Sequence, residues 1–345
     1  MRRFHFALLA LLLSLATQPL VAATYYVGNC RVGSFGTINA AVTTVPAGST
    51  VDVCPGTYPE RVVISKALTL QGIFSNNSSQ AIITLSSAPT PVPSIYWGVV
   101  DAQVQVTAGP VNITNITVDG GAGCLSNDTT VGIYYSSGSS GTVTKVESRN
   151  QLCGGIGLMA ENGAGVIQSV KFENNNVHDN LYAGIFTCSN QTPSTLTSSI
   201  SGNVVGGETS WGIMLACDGA GTVTGNIVNG INGSIGVIAE STSTTVSGNT
   251  ISGGNEGIEV DVATTVASNH ISNAATGILL AANGASIKSN LITNSNIGME
   301  FNCHTDTVTG NTVNGAPTGF NNVPAAFAGV NKFDNVPTVR IAGGC

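Results

Sequence analysis

From residue 132 onward, apolar and polar positions alternate in short runs. In the segment Gly257 to Val262, Ile258, Val260 and Val262 are apolar and Glu259 and Asp261 lie between them. That alternation predicts a strand with one buried face. Thr250-Ile251 and Thr264 to Val266 read as further short strands, with no ten-residue helical run between them. A glycine followed by an apolar residue recurs at Gly132, Gly157, Gly184, Gly212, Gly236, Gly257, Gly277, Gly298 and Gly319, every 20 to 28 residues. An asparagine keeps the same beat at Asn203, Asn226, Asn249, Asn269, Asn290 and Asn311.

A repeat of this length with about three short strands corresponds to one coil of a parallel β-helix. Leucine-rich repeats need a Leu-x-x-Leu-x-Leu phrase, which is missing, and a propeller blade needs about 40 residues. The predicted fold is all-β, a parallel β-helix with a short N-terminal capping helix. Successive coils stack about 4.8 Å apart. An asparagine at the same bend of each coil can therefore hydrogen-bond its neighbours, and it tolerates left-handed backbone. The recurring glycine is expected to mark a tight bend before the next strand.

Earlier in the chain, Ile38, Ala41, Val42 and Val45 fall at helical spacing within Phe35 to Val45. A helix there would cover the open end of the stack, as solenoids require. Val51 to Val53, Arg61 to Ile64 and Ala67 to Leu70 read as the first strands. Residues 75–95, rich in Ser, Asn and Pro, read as a long loop. Clear repeats run over 132–320, and 323–345 leaves the repeat as a C-terminal cap. The reading is one domain, 24–345, with no linker.

Only 8% of the 345 residues are charged, whereas 43 are glycine and 42% are hydrophobic. This excludes a charged disordered tail and a coiled coil. Residues 1–23 read as a secretory signal peptide: Arg2 and Arg3, an apolar stretch from Ala7 to Ala16, and a small-residue site at Val21-Ala22-Ala23. No other segment has the unbroken apolar run of a spanning helix. Loss of Arg2 and Arg3 takes the net charge from −7 to −9, which excludes nucleic acid as a partner. The expected location is secreted or periplasmic.

Eight cysteines follow the signal segment, an even count that suggests four disulfides in an exported chain. Zinc is disfavoured because no Cys-x-x-Cys pair occurs. Cys188 and Cys217 follow the glycine marker by four and five residues on adjacent coils, within reach of a bridge. Proximity pairs Cys30 with Cys54 and Cys124 with Cys153, leaving Cys303 with Cys345. A row of buried free thiols is the competing explanation.

The Gly-Ile-x-Val and Ser-Gly-Asn-x-Ile phrases resemble those of the right-handed parallel β-helix superfamily, the pectin-lyase-like fold. Thr37-Ile-Asn-Ala-Ala41, followed by Cys54-Pro-Gly-Thr-Tyr-Pro-Glu-Arg-Val-Val-Ile64, is similar to the opening coil of pectin methylesterases and of NosD-like periplasmic β-helix proteins. This resemblance is specific for fold and weak for function, since one fold hosts many activities. The chain lacks the Asp-Phe-x-Phe-Gly and Gly-Arg-Pro-Trp phrases of pectin methylesterases. It also lacks the Asn-Thr-Asp, Asp-Asp, Gly-His-Gly and Arg-x-Lys phrases of polygalacturonases, and the Trp-x-Asp-His phrase of pectate lyases. Only Arg31, Arg61, Arg149 and Arg340 follow the signal segment, few cations for uronate chemistry.

In this superfamily the active cleft lies outside the strand that follows the glycine marker. Aligning coils on that glycine puts Glu240 and Asp261 in one outward column, one coil apart. Glu259 and Glu300 fall in a neighbouring column, two coils apart. Outward residues at i and i+2 are about 6.6 Å apart and stacked neighbours about 4.8 Å, within the ~5 to 9.5 Å range of paired glycosidase carboxylates. Such proximity would raise at least one pKa, as an acid catalyst needs. His304 follows Glu300 and is a candidate to join the group. Tyr182 and Trp211 precede glycine markers in successive coils and are candidates for sugar stacking, with packing at a bend as the alternative. His178 and His270 read as turn residues.

Two functions from different classes follow. The first is a non-catalytic exported module binding polysaccharide or surface glycan. The second is a polysaccharide hydrolase or lyase of unrecognised type using Asp261 with Glu259, Glu240 or Glu300. No cofactor motif is present; the same carboxylates would suit Ca²⁺, or simply keep the surface soluble. Oligomeric state is not encoded in these patterns.

Overall fold

The computed structural model describes residues 22–344 except 75–79, 87–90, 122–128, 164, 166, 191–194, 218, 232, 233, 242 and 328. The chain is a right-handed parallel β-helix with three long parallel sheets. Sheet 1 runs over 12 strands from Thr24–Val27 to Thr307–Thr309. Sheet 2 runs over 12 from Gly56–Pro59 to Lys332–Asp334, and sheet 3 over 13 from Val62–Ile64 to Thr338–Ala342. Val237, Ile258, Ile278, Met299 and Phe320 are in register on sheet 3 and point into the core. A helix, Ile38–Thr44, closes the first end and buries Ile38, Ala41 and Val42, with Thr37 as its N-cap.

The asparagine column is a continuous ladder through the bend between sheets 1 and 2. Asn249 Oδ1 accepts from the backbone N and the Nδ2 of Asn226, both at 2.9 Å. Its own Nδ2 donates to Val223 O and to Asn269 Oδ1. The ladder also includes Asn175 and Asn331. From Asn175 to Asn311 the left-handed residue at this bend is the one before the ladder asparagine, such as Gly225 or Gly248. So the asparagines serve the hydrogen bonding and their predecessors the turn.

The marker glycines are not bends. They lie in or beside the sheet 3 strands, where a Cβ on Gly257 would sit 2.4 Å from Ile271 Cγ2 and 2.6 Å from the Gly277 carbonyl. Room, not backbone freedom, requires glycine there.

Three further expectations are corrected. The 75–95 loop contains a sheet 2 strand, Ala81–Thr84, and an antiparallel strand, Pro91–Ser94, on the edge of Gly98–Val106. The C-terminal segment does not leave the repeat: Lys332–Asp334 and Thr338–Ala342 extend sheets 2 and 3. His178 and His270 lie in sheet 2 strands rather than turns.

Disulfides join Cys30 to Cys54 and Cys188 to Cys217. Cys153 and Cys303 are also disulfide-bonded; Cys124 and Cys345 lie outside the described residues, as does most of the 1–23 signal segment. No described helix is long and apolar enough to cross a membrane.

Candidate functional site

The outer face of sheet 3 is divided in two. In the earlier coils the outward column Tyr134, Met159, Phe186, Met214, Ile238 is apolar and buried. An exposed sheet face would not tolerate such a stripe, and it is covered by a strap formed by Pro91–Ser94 with Ile95, Tyr96 and Trp97. Glu161, fully buried, holds the strap. It accepts from Ser94 Oγ at 2.9 Å, Ile95 N at 2.9 Å, Tyr96 N at 3.2 Å and Tyr134 Oη at 2.9 Å. Burial outweighs these donors and pushes its carboxyl above the usual range.

The strap's rings meet those of the wall. Trp97 lies 4.8 Å from Tyr182 and Tyr182 lies 4.7 Å from Trp211, centroid to centroid and edge to face. Tyr96 packs on Phe186 at 5.1 Å and remains exposed. Edge-to-face contacts at these distances are favourable. Tyr182 and Trp211 therefore belong to an aromatic cluster, each half-buried with part of the ring open to solvent.

Immediately beyond the strap the outward column turns acidic. Ala239 pairs with Val260, so Glu240 and Asp261 stack on adjacent coils. Glu259 follows Ile238 in the next column, and Glu300 lies two coils on, past Leu279. Glu256 stands on the same strand as Glu259. Glu240, Glu256, Glu259 and Asp261 are all half-buried.

Their charges interact. Glu259 is raised to about 7, first by burial, then by the charges of Asp261, Glu256 and Glu240, and by a side-chain hydrogen bond with Asp261. Glu240 is raised by burial and by Asp261. Tyr96 is raised by burial, then by Glu240 and Tyr182, which sets the strap ring beside the carboxyl row. A protonated Glu259 donating to an ionised Asp261 fits this pattern, since two carboxylates this close do not both hold a charge freely.

The structure does not bring every candidate together. Glu300 accepts from Asn321 Nδ2 at 2.7 Å and Asn322 Nδ2 at 2.6 Å, away from the acid row. The charge that His304 influences is that of Asp306. Glu256, the strap and Glu161 escaped the sequence reading. The signal that would have found the strap is the outward apolar stripe itself, because such a stripe requires a cover.

Residues 197–323 match a family model described as "Periplasmic copper-binding protein (NosD)". The fold is similar to the mannuronan C-5 epimerase AlgE4 A-module of Azotobacter vinelandii, at 15% identity and a TM-score of 0.57, over 88% of this chain and 90% of that one. It is also similar to the catalytic unit of a thermostable GH87 α-1,3-glucanase from Streptomyces thermodiastaticus strain HF3-3, at 16% identity and a TM-score of 0.52, over 92% of this chain and 68% of that one. A comparison with curated proteins finds no match.

The residues do not fit a copper centre. Copper takes imidazole and soft sulfur ligands, but Cys188, Cys217 and Cys303 are in disulfides. His270 stands on sheet 2 and His304 beyond a sheet 3 strand. Among the described residues no three His, Cys, Asp or Glu side chains gather to hold a metal.

Proposed function

We propose that the protein is an exported glycan-binding β-helix, and that a polysaccharide chain lies along the outer face of sheet 3 from Trp211 to Asp261. The observation that carries this reading is the direct abutment of an aromatic platform and a row of half-buried carboxyl groups. Ring faces suit the apolar faces of sugars, and carboxyl groups accept from hydroxyls. Export is supported by the disulfides, which persist in oxidising compartments. The relatives named for mannuronan and α-1,3-glucan are consonant with a polysaccharide ligand, without carrying the argument.

The site disfavours polyuronates. Arg61 is buried against Asp101, Arg149 is held by Asp119 and Glu147, Arg31 lies over Tyr26 and Arg340 over Phe327. None of the four is left to neutralise a uronate on sheet 3. A neutral glycan is the ligand class that suits an acid row to which no arginine is directed.

One observation favours a second reading, hydrolysis. Glu259, with a pKa of about 7, is suited to protonate a glycosidic oxygen, and Asp261 or Glu240 to activate water. The test is a panel of neutral polysaccharides, followed by binding and by release of reducing ends. Binding without release supports the module; release that Glu259→Gln abolishes while binding persists supports the hydrolase. No binding to any neutral glycan would overturn both.

A further inference from the structure

A recess lies on another face, at the bend between sheets 1 and 2. It encloses about 270 Å³ between Phe74, Gln80, Asn115, Lys145, Glu147 and Asn174. Three of these residues occupy one structural position in successive coils. Asn115, Lys145 and Asn174 each have a left-handed backbone, with φ of 55°, 54° and 56°. The amide of each donates to a carbonyl of the following coil. Later coils fill the same position with Gly202, Gly225 and Gly248, then Ser268 and Ser289.

Glycine adopts this conformation without strain, and asparagine tolerates it through local hydrogen bonds. Lysine has neither advantage. The repeat fills this position with asparagine, glycine or serine, and Lys145 is the one long, charged side chain held there in left-handed backbone, at the mouth of a cavity. Strain of this kind points to function when a site lies beside it.

The recess has the chemistry of a saccharide pocket. Phe74 is 54% exposed at its rim and offers a ring face. Asn115 and Asn174 offer amides that both donate and accept, and Gln80 offers its amide NH₂, its oxygen already taking Thr117 Oγ1 at 2.7 Å. The wall carboxylate is already engaged: Glu147 takes Arg149 Nη1 at 3.1 Å and His178 Nε2 at 3.2 Å, and shares the Thr117 hydroxyl, 3.0 Å away, with Gln80 Oε1. Burial would raise its carboxyl, but those partners outweigh burial and hold it below the usual carboxylate range. Lys145, by contrast, is exposed and forms no ion pair with a described residue. The charge left for a ligand in this recess is thus positive, opposite to that of sheet 3.

We propose that this recess binds one acidic sugar unit, its ring on Phe74, its hydroxyls on the amides and its carboxylate on Lys145. This proposal does not rest on the sheet 3 reading. The test is calorimetric titration with a glucuronate tetrasaccharide and with a glucose tetrasaccharide, on the wild type and on Phe74→Ala, Lys145→Gln and Lys145→Gly. The acidic sugar is expected to bind at least ten-fold more tightly than the neutral one, with a strong salt dependence. Each substitution should weaken it at least ten-fold. Lys145→Gly should melt no lower than the wild type, because glycine relieves the left-handed backbone. Tryptophan emission should not change, since Trp97 and Trp211 both pack on the apolar stripe of the outer face of sheet 3.

Failure of the acidic sugar to bind, equal affinity for both sugars, or full affinity in the Lys145 variants would overturn the proposal. So would a fall in the melting temperature of Lys145→Gly, which would make the lysine structural.

Discussion

Replacement of Glu161 by glutamine tests how the strap is held. The two carboxyl oxygens divide four donors between them: Ser94 Oγ and Tyr96 N on Oε1, Ile95 N and Tyr134 Oη on Oε2. A glutamine presents one oxygen and one NH₂ group. The hydroxyl of Ser94 or Tyr134 can turn and accept from the new NH₂. A backbone N–H cannot, and one stands on each side. Either orientation of the amide therefore strands Ile95 N or Tyr96 N against another donor. A buried donor without a partner costs about 1 to 3 kcal/mol. Because 1.4 kcal/mol is a factor of ten, the strap should open about 5- to 150-fold more often.

Native-state hydrogen exchange at the Ile95 and Tyr96 amides reads this directly. Amides of buried sheet 3 strands such as Gly257–Val260 should slow or speed by much less, since opening the strap leaves the coil stack intact. If the Ile95 and Tyr96 amides exchange at wild-type rates in Glu161→Gln, the strap is not held by this carboxylate and the reasoning fails.

Three other consequences can be measured. Asn249→Ala removes four side-chain hydrogen bonds from a ladder that is 1% exposed and should cost about 3 to 4 kcal/mol in chemical denaturation, whereas Asn112→Ala, on the exposed face of sheet 1, should change stability by less than about 0.5 kcal/mol. Glu259 should titrate near pH 7 by carboxyl NMR, and Asp261→Asn should lower that value. Glu208 is fully buried and raised well above the usual range by burial. Its folded value exceeds its unfolded one, so its contribution is present below the unfolded pKa near 4.3 and is lost as pH rises above it; Glu208→Gln should flatten that fall, and an unchanged pH profile would contradict it.

The coil columns were legible because a solenoid converts sequence period into spatial register. Aligning on the glycine was enough to stack Glu240 on Asp261 and to set Glu300 two coils from Glu259. The capping helix was legible from about two turns of apolar spacing, Ile38 to Val45. The strap was not, because Tyr96 and Phe186 meet across 90 residues of chain and no local pattern encodes that contact. Ala81–Thr84 was hidden by its Ser- and Pro-rich flanks, and Thr338–Ala342 by the loss of the glycine marker after Gly319. His178 looked like a turn residue because it follows asparagines. On sheet 2 it spans Glu147 and Asp179 through both ring nitrogens, a partnership visible only once coils are stacked.

The two tryptophans of the chain, Trp97 on the strap and Trp211 on the sheet 3 wall beneath it, have ring centroids 6.5 Å apart, so tryptophan emission reports on that face alone. Titrating the protein with a neutral polysaccharide while following emission and acrylamide quenching tests the central claim most directly. The account predicts a saturable change in emission and protection from quenching, both lost in Trp211→Ala together with the binding measured by calorimetry. Calorimetric binding that leaves both tryptophans unaffected would place the glycan elsewhere and contradict the account.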